Sequence, residues 1–185
     1  MAEFRHETER LVLRDWRAED REPFAAMNAD PEVMRYFRST LSREQSDAFA
    51  DRIEGQLVEL GYGLFALERR DDGAFLGYTG FFPCPEATPV AGEMEIGWRI
   101  ARPHWRLGYA FEAASSALRW FWQNTDRTRV VSYTSPRNAP GLALMRKLGL
   151  HRCEGLDFDH PAIPSGDPLA RQVVYGLRRS GATNG

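Results

Sequence analysis

The most regular hydrophobic pattern in the chain predicts an amphipathic helix over residues 42–60. Apolar side chains recur there at the three- and four-residue spacing of one helix face, at Phe49, Ile53, Leu57 and Leu60. Ser42 and Gln45 fit a capping box at the beginning of this helix. Gly61 is well placed to end it, because glycine adopts the left-handed conformation that closes many helices.

Other segments indicate further helices. Residues 18–28 carry acidic side chains early, as the helix dipole favours, and the stretch from Asp30 opens another helical turn. Residues 108–124 place alanines and larger apolar groups along one face. Residues 141–148 form a short apolar segment that Gly149 closes.

Strict alternation over residues 93–100 predicts a half-buried strand. On one face lie Glu93, Glu95 and Gly97. On the other lie Met94, Ile96 and Trp98. The strand therefore presents two carboxylates on a single face.

Further strands are predicted where β-branched and aromatic residues cluster, at residues 8–16, 62–68, 74–82, 129–134, 153–156 and 172–177. Asp72-Gly73 between the second and third of these is a strong hairpin signal. With 185 residues and no repeat or linker, the chain fits one α/β domain over residues 1–185, with flexible tails at 1–7 and 180–185.

Composition excludes several classes of protein. The net charge of -2 gives no basic field for nucleic acid. No segment approaches the roughly 18 apolar residues of a membrane-spanning helix, and the charged start lacks the apolar core of a signal peptide. We therefore expect a cytoplasmic protein without membrane contact, in which Cys84 and Cys153 are free thiols. The four histidines show no metal-ligand spacing, so no metal site is expected.

Chemistry is indicated where the strand at 93–100 gives way to the helix at 108–124. The linking residues 105–110 read Trp-Arg-Leu-Gly-Tyr-Ala. Free N–H groups at a helix N-terminus bind anions, and Gly108 allows close backbone approach. Arg102 and Arg106 are able to add charge-assisted bonds to phosphate. The alternative is a helix that merely begins with glycine.

In context, this segment resembles the cofactor loop of the GNAT acetyltransferase superfamily. Residues 95–100 (EIGWRI) and 101–114 (ARPHWRLGYAFEAA) match that family's strand, loop and helix. Its usual signature is Gln/Arg-x-x-Gly-x-Gly/Ala, and here Trp105 stands in the first position. That substitution, and the segments at 8–20 and 28–37, are similar to the Rim-type branch, which acetylates protein N-termini. Residues 138–150 (NAPGLALMRKLGL) resemble a later motif of the same branch.

The resemblance extends over roughly residues 8–178 and implies an α/β fold. We expect a mostly antiparallel twisted sheet of about six to seven strands, splayed at the cofactor and flanked by about four helices. Acetyl-CoA is the implied cosubstrate, an amine the acceptor, and a homodimer possible.

By the same resemblance, backbone N–H groups bind the CoA pyrophosphate, at Arg106, Leu107, Gly108, Tyr109 and Ala110. The pantetheine arm runs along Trp98, Arg99 and Ile100, where peptide groups of a strand edge can pair with its amides. Asn138 bonds the pantetheine or fixes its own loop; the alternative is a turn residue before Pro140.

Proton transfer is the part of the reaction that the resemblance leaves incomplete. Glu95 matches a glutamate of the family's strand and is the first candidate for the base that deprotonates the amine, with Glu93 second. The alternative for each is a solvated carboxylate or an arginine partner. Met145 and Gly141 replace the Tyr and Ser that serve relatives as acids, so no general acid is assigned. A thiol of pKa about 8.5 leaves as thiolate without much help.

Two alternatives to an acetyltransferase are a non-catalytic module and a dinucleotide-binding domain. A CoA-binding sensor or interaction module that has lost catalysis would explain the missing Tyr and Ser. An ordinary dinucleotide-binding domain does not fit, because the chain has no Gly-x-Gly-x-x-Gly and no strand–helix alternation at its start.

Overall fold

The computed structural model describes residues 4–179, in which four α-helices flank a nine-stranded sheet. The helices are α1 (Arg21–Ala29), α2 (Arg43–Leu60), α3 (Tyr109–Asn124) and α4 (Ala139–Lys147). The strands are β1 (Arg5–Glu7), β2 (Leu11–Arg14), β3 (Leu64–Arg69), β4 (Phe75–Pro83), β5 (Met94–Ile100), β6 (Arg129–Thr134), β7 (His151–Arg152), β8 (Phe158–Asp159) and β9 (Arg171–Arg178).

The sheet is antiparallel at every join except one. Its order is β1-β2-β3-β4-β5-β6-β9-β7, with β8 paired to β9. Only β5 and β6, in the middle of the sheet, run parallel. The predicted fold class is confirmed, and the sheet exceeds six to seven strands because β1, β7 and β8 add two or three residues each.

Two local expectations were wrong. Residues 5–7 are not a flexible tail, because Arg5–Glu7 pairs with β2 along its whole length. The strand expected at 153–156 lies earlier, at His151–Arg152, because residues 154–155 turn at Gly155, which has a φ of 79°. The other predicted tail, 180–185, falls outside the described residues.

The two faces of the sheet carry separate apolar clusters. The larger one joins α3 to the sheet through residues such as Ile96, Ala113 and Phe121. The cluster on the opposite face joins α1 and α2 to β3 and β4, with Phe24 and Tyr78 among its members. This division matters for function because alternate residues of β5 point to opposite faces.

The capping box predicted for α2 is present. The Ser42 side chain accepts a bond from the Gln45 backbone, the Gln45 side chain accepts one from the Ser42 N–H, and Gly61 ends the helix with a φ of 74°. α2 is therefore fixed at both ends by the residues that its sequence pattern indicated.

A buried ion pair ties β2 to the chain that leads into α1. The Arg14 guanidinium donates to both oxygens of Asp20, at 2.7 and 2.8 Å, and also to Glu68 on β3 at 2.7 Å. The Arg14 and Asp20 side chains are each only 2% exposed. Such a pair is costly to break from one side, because the remaining charge stays in the interior.

We expect Asp20→Asn to lower the free energy of unfolding by about 3 kcal/mol, because it leaves the Arg14 charge undercompensated in the interior. Asp51→Asn is the control, since Asp51 pairs with Arg21 at 2.7 Å but is 69% exposed; its effect should stay below about 1 kcal/mol. Urea denaturation measures both. Equal effects would show that burial of the Arg14 pair is unimportant.

Candidate active site

The site is organised by the separation of β5 from β6. These parallel strands share a single register pair, Glu95 with Val131. Beyond it β5 continues to Ile100 and β6 to Thr134 without pairing with each other. The resulting gap opens one edge of β5 in the middle of an otherwise continuous sheet, as the predicted splay requires.

The register with β4 decides which peptide groups of β5 face this gap. The Ala101 N–H donates to the Leu76 carbonyl, and the Cys84 N–H donates to the Glu93 carbonyl. In an antiparallel ladder the hydrogen-bonding direction alternates, so the odd-numbered residues of β5 bond β4. Trp98 and Ile100 therefore direct their N–H and C=O groups into the gap, whereas the peptide groups of Arg99 face β4.

Trp105 forms a hydrogen bond with one of the peptide groups that face the gap. Its indole N–H donates to the Ile100 carbonyl at 2.7 Å. The residue that departs from the family signature thus folds the loop back onto the end of β5. The groups left open toward the gap are both peptide groups of Trp98 and the N–H of Ile100, a short edge of the kind that pairs with amides.

The loop from β5 to α3 turns its backbone N–H groups outward. Arg106 and Gly108 both have positive φ, 61° and 83°. Among the described residues, no hydrogen bond uses the N–H groups of Arg106, Leu107 or Gly108. The first turn of α3 adds further N–H groups without intrahelical partners, next to the positive end of the helix dipole. This arrangement suits a pyrophosphate.

Arg10 holds the loop in place, a role that sequence reasoning missed. Its guanidinium donates to the Leu107 carbonyl at 2.9 Å and to Glu112 of α3 at 2.7 Å. It also lies 4.7 Å from the centre of the Tyr109 ring, which is buried in the core below α3. Arg10 and Glu112 are 102 residues apart, so no local pattern signals the contact.

Asn138 has a structural role at the beginning of α4. Its side-chain oxygen accepts from the Gly141 N–H at 3.0 Å, and its side-chain nitrogen donates to the Thr134 hydroxyl at 3.0 Å. A Cβ at position 141 would lie 2.5 Å from that nitrogen. In this conformation the Asn138 side chain fills the space that a Cβ at position 141 would take, and the glycine at 141 leaves room for it.

Met145 has no part in proton transfer, because a thioether has no proton to give. Its side chain is 2% exposed and packs in the cluster between α3, α4 and the sheet. The position that carries Tyr in many relatives thus fills the core here.

Glu95 lies at the apex of the gap, on the face of β5 opposite α3. Burial raises the pKa of its carboxyl from 4.5 to about 7, and a hydrogen bond from the Tyr133 hydroxyl opposes that rise. Burial and the nearby Glu95 raise the pKa of Tyr133, so its hydroxyl stays protonated. Sequence reasoning missed Tyr133, because its approach to Glu95 depends on the pairing of β5 with β6.

Glu93 is engaged elsewhere. Its carboxylate accepts from Arg129 at 3.0 Å, at the start of β6. Glu93 is therefore an ion-pair partner of an arginine, which was the alternative to its role as a base. Glu95 is the carboxyl that remains at the gap.

Two other kinds of site are absent from residues 4–179. No group of three or more His, Cys, Asp or Glu side chains is arranged to hold a metal ion there. The same residues include no helix with the length and apolarity needed to cross a bilayer.

Comparison with known proteins shows which family and which fold this chain resembles. The profile of the acetyltransferase (GNAT) domain family matches residues 10–151. An uncharacterized N-acetyltransferase, YnaD of Bacillus subtilis, is 27% identical over 173 residues, which are 92% of this chain and 94% of the relative.

Solved structures share the fold. A GNAT-family acetyltransferase from Bacillus anthracis superposes with a TM-score of 0.77 at 23% identity, over 95% of this chain and 98% of that one. RimL, a ribosomal L7/L12 alpha-N-protein acetyltransferase in complex with coenzyme A, gives a TM-score of 0.74 at 12% identity, over 92% and 95%.

We expect Gly108→Ala to weaken CoA binding at least about tenfold, because the new Cβ would lie 3.3 Å from the Arg10 guanidinium that holds the loop and would displace the backbone that faces the pyrophosphate. Gly73→Ala is the matched control: Gly73 has a φ of 73°, and its new Cβ would meet nothing within 4 Å. Both changes should cost roughly 1 kcal/mol of stability through the positive φ. Calorimetry with CoA separates them, and equal affinities would contradict the loop assignment.

We also expect Glu95→Gln to stabilise the protein in a pH-dependent way. A carboxyl whose folded pKa is raised destabilises the folded state once ionised, so the cost begins above the unfolded pKa of 4.5 and is complete above about 7. The gain of the variant should be near zero at pH 4.5 and roughly 1 to 3 kcal/mol at pH 8. Denaturation at both pH values measures it, and a gain independent of pH would contradict it.

Proposed function

The chain belongs to the acetyltransferase (GNAT) domain family and is an acyl-CoA-dependent N-acetyltransferase, and on that premise we propose that it acetylates a primary amine by direct attack in a ternary complex. The observation that carries this proposal is the position of Glu95. This partly buried carboxyl lies where β5 and β6 begin to separate, beside the open peptide groups of β5. It is suited to accept the proton of an amine that enters the gap.

Acetyl-CoA binding is assigned to backbone rather than to charged side chains. The N–H groups of residues 106–110 take the pyrophosphate, with the dipole of α3 behind them. The open groups of Trp98 and Ile100 take the amides of the pantetheine arm. The peptide groups of Arg99 have no part in this, because they pair with β4.

Glu95 performs the base step. An ammonium group cannot attack a thioester, so the amine must lose its proton, and its pKa is near 8 for an α-amine and about 10.4 for a lysine. A carboxyl with a pKa of about 7 is about half ionised at neutral pH, and its ionised form is a stronger base than an ordinary glutamate. It takes the proton directly or through one water, while the Tyr133 hydroxyl fixes its orientation.

The departing thiolate needs no protein acid. Neither position that supplies one in relatives does so here, since Met145 is apolar and Gly141 has no side chain. The CoA thiol has a pKa near 8.5, so its thiolate is a stable leaving group at neutral pH. Removal of the proton from the amine is then the step of the reaction to which side chains of this protein contribute most.

The acceptor class is a protein or peptide N-terminal α-amine or a small-molecule amine. The α-amine is favoured because it needs the weaker base, and because RimL, which shares the fold, is an α-N-protein acetyltransferase. A catalytically inactive CoA-binding module is the second candidate, favoured only by the missing Tyr and Ser.

Thiol release from acetyl-CoA, measured against short peptides, free amino acids, polyamines and aminoglycosides, tests catalysis. Glu95→Gln should lower turnover about 10²-fold and remove the rise in rate near pH 7, because the variant has no base of that pKa. Glu93→Gln is the control, with less than about a threefold effect expected, since the Glu93 carboxylate is held by Arg129 in a partly buried ion pair and does not face the gap.

An unchanged pH–rate profile in Glu95→Gln would remove Glu95 as the base. Acetyl-CoA binding by calorimetry without thiol release from any amine would favour the inactive module.

A further inference from the structure

Arg99 carries a buried charge for which the described residues provide no counter-ion. Its side chain is 7% exposed, and no carboxylate among residues 4–179 forms an ion pair with its guanidinium. Desolvation lowers the pKa of Arg99, opposed only by Tyr78. A buried arginine ordinarily has a carboxylate partner, as Arg14 has in Asp20.

The guanidinium is held in place but not satisfied. One terminal nitrogen donates to the side-chain oxygen of Asn28 at 2.5 Å, and Asn28 is itself fixed by a bond to Ser46 at 2.8 Å. The Arg99 Nε is buried without any hydrogen-bond partner. An orientation fixed by neutral groups, with a free donor, is an arrangement that awaits an anion.

Aromatic rings surround the charge and leave one side open. The guanidinium carbon lies 4.2 Å from the centre of the Phe37 ring and 5.3 Å from that of Tyr78. Tyr78 is buried, whereas Phe37 is 42% exposed. A ligand from solvent therefore approaches Arg99 past Phe37.

Arg99 and Glu95 lie on the same face of β5. They are four residues apart along the strand, so both side chains leave the face opposite α3, and their Cα atoms are about 13 Å apart. Tyr78 lies directly opposite Arg99 on β4, and the charges of Arg99 and Glu95 both act on the pKa of its hydroxyl. The CoA loop begins α3 on the other face, so Arg99 is not placed to bind the pyrophosphate.

Two further arginines line an open cleft that includes Tyr36, the chain neighbour of Phe37. Its other lining residues are Arg35, Arg137, Asp167, Pro168 and Leu169. Arg35 stacks on the Tyr36 ring and makes a long, exposed ion pair of 3.7 Å with Glu32. The guanidinium groups of this cleft are able to donate to an anion.

We propose that the acceptor is an amine that also carries a carboxylate, and that Arg99 binds this carboxylate while Glu95 takes the proton from the amine. The proposal rests on the proposed function and narrows its acceptor class. A carboxylate would supply the missing counter-ion of Arg99 and accept hydrogen bonds from its guanidinium. The carboxylate belongs either to a free amino acid or to an acidic first residue of a peptide, and polyamines are excluded as good acceptors.

The test compares acceptors that differ only in the negative charge. One arm uses peptide amides that begin with Asp or Asn; the other uses free amino acids and their α-amides. Each KM is expressed for the neutral fraction of the amine. We expect at least about a tenfold lower KM for the acid member of one pair, and the arm in which it appears identifies the source of the carboxylate.

The variant Arg99→Met tests whether Arg99 causes the lower KM of the acid acceptor. Methionine fills the space without burying a charge, so the fold should be retained, which a thermal melt checks. The variant should raise the KM of the acid acceptor to that of its amide, without altering the amide KM or the affinity for acetyl-CoA. Arg52→Met is the control: Arg52 is exposed and stacks on Phe49 in the same aromatic cluster, and its loss should leave the acid preference intact.

Calorimetry of the same acceptor pairs with CoA-saturated protein separates this proposal from the transferase proposal, because it needs no turnover. Acid preference that is lost in Arg99→Met supports the anion site even if no acetyl group is transferred. Equal affinity for acid and amide, no binding of either, or acid preference that survives in Arg99→Met overturns it. Spermidine as the best acceptor would also overturn it.

Discussion

The site depends on one parallel join in an antiparallel sheet. β5 and β6 meet only at Glu95 and Val131, so the rest of β5 has no neighbour on that side. Unpaired peptide groups inside a sheet need other partners. Trp105 serves one of them, the Ile100 carbonyl, and those of Trp98 stay open toward the gap. The loop that carries Trp105 also leads into α3. The open edge of β5 and the N-terminus of α3 are therefore neighbours, and we assign the first to the pantetheine amides and the second to the pyrophosphate.

The alternation of β5 divides packing from chemistry. Its even-numbered side chains join α3 in the larger apolar cluster and hold the strand in position. Glu95 and Arg99 leave the other face, where Glu95 is partly buried and Arg99 is buried, and neither has an opposite charge as partner within residues 4–179. Both arrangements reduce stability in the free protein. Destabilising groups of this kind are typical of sites that bind a ligand or carry out a reaction. We therefore place the acceptor on this face of β5.

Local patterns predicted most of the fold and only part of the site. The limits of α2, the Asp72-Gly73 hairpin and the two faces of β5 follow from periodicity and capping residues. The strands β7 and β8 have two residues each and show no periodicity. The contacts of Tyr133 with Glu95 and of Arg99 with Asn28 join distant segments through strand register and packing. A single sequence does not reveal such pairings, so it indicated a candidate base without the groups that tune it.

The three departures from the family pattern have a common consequence. Trp105 closes the end of β5, Gly141 makes room for the Asn138 cap, and Met145 fills the core. Each residue thus serves the framework at a position where relatives place a reactive or binding group. We place the remaining acid–base chemistry on the face of β5 that carries Glu95, whose carboxyl accepts a hydrogen bond from Tyr133 of β6. A thiolate leaving group tolerates this change because it needs little protonation, whereas the amine cannot react until a base has removed its proton.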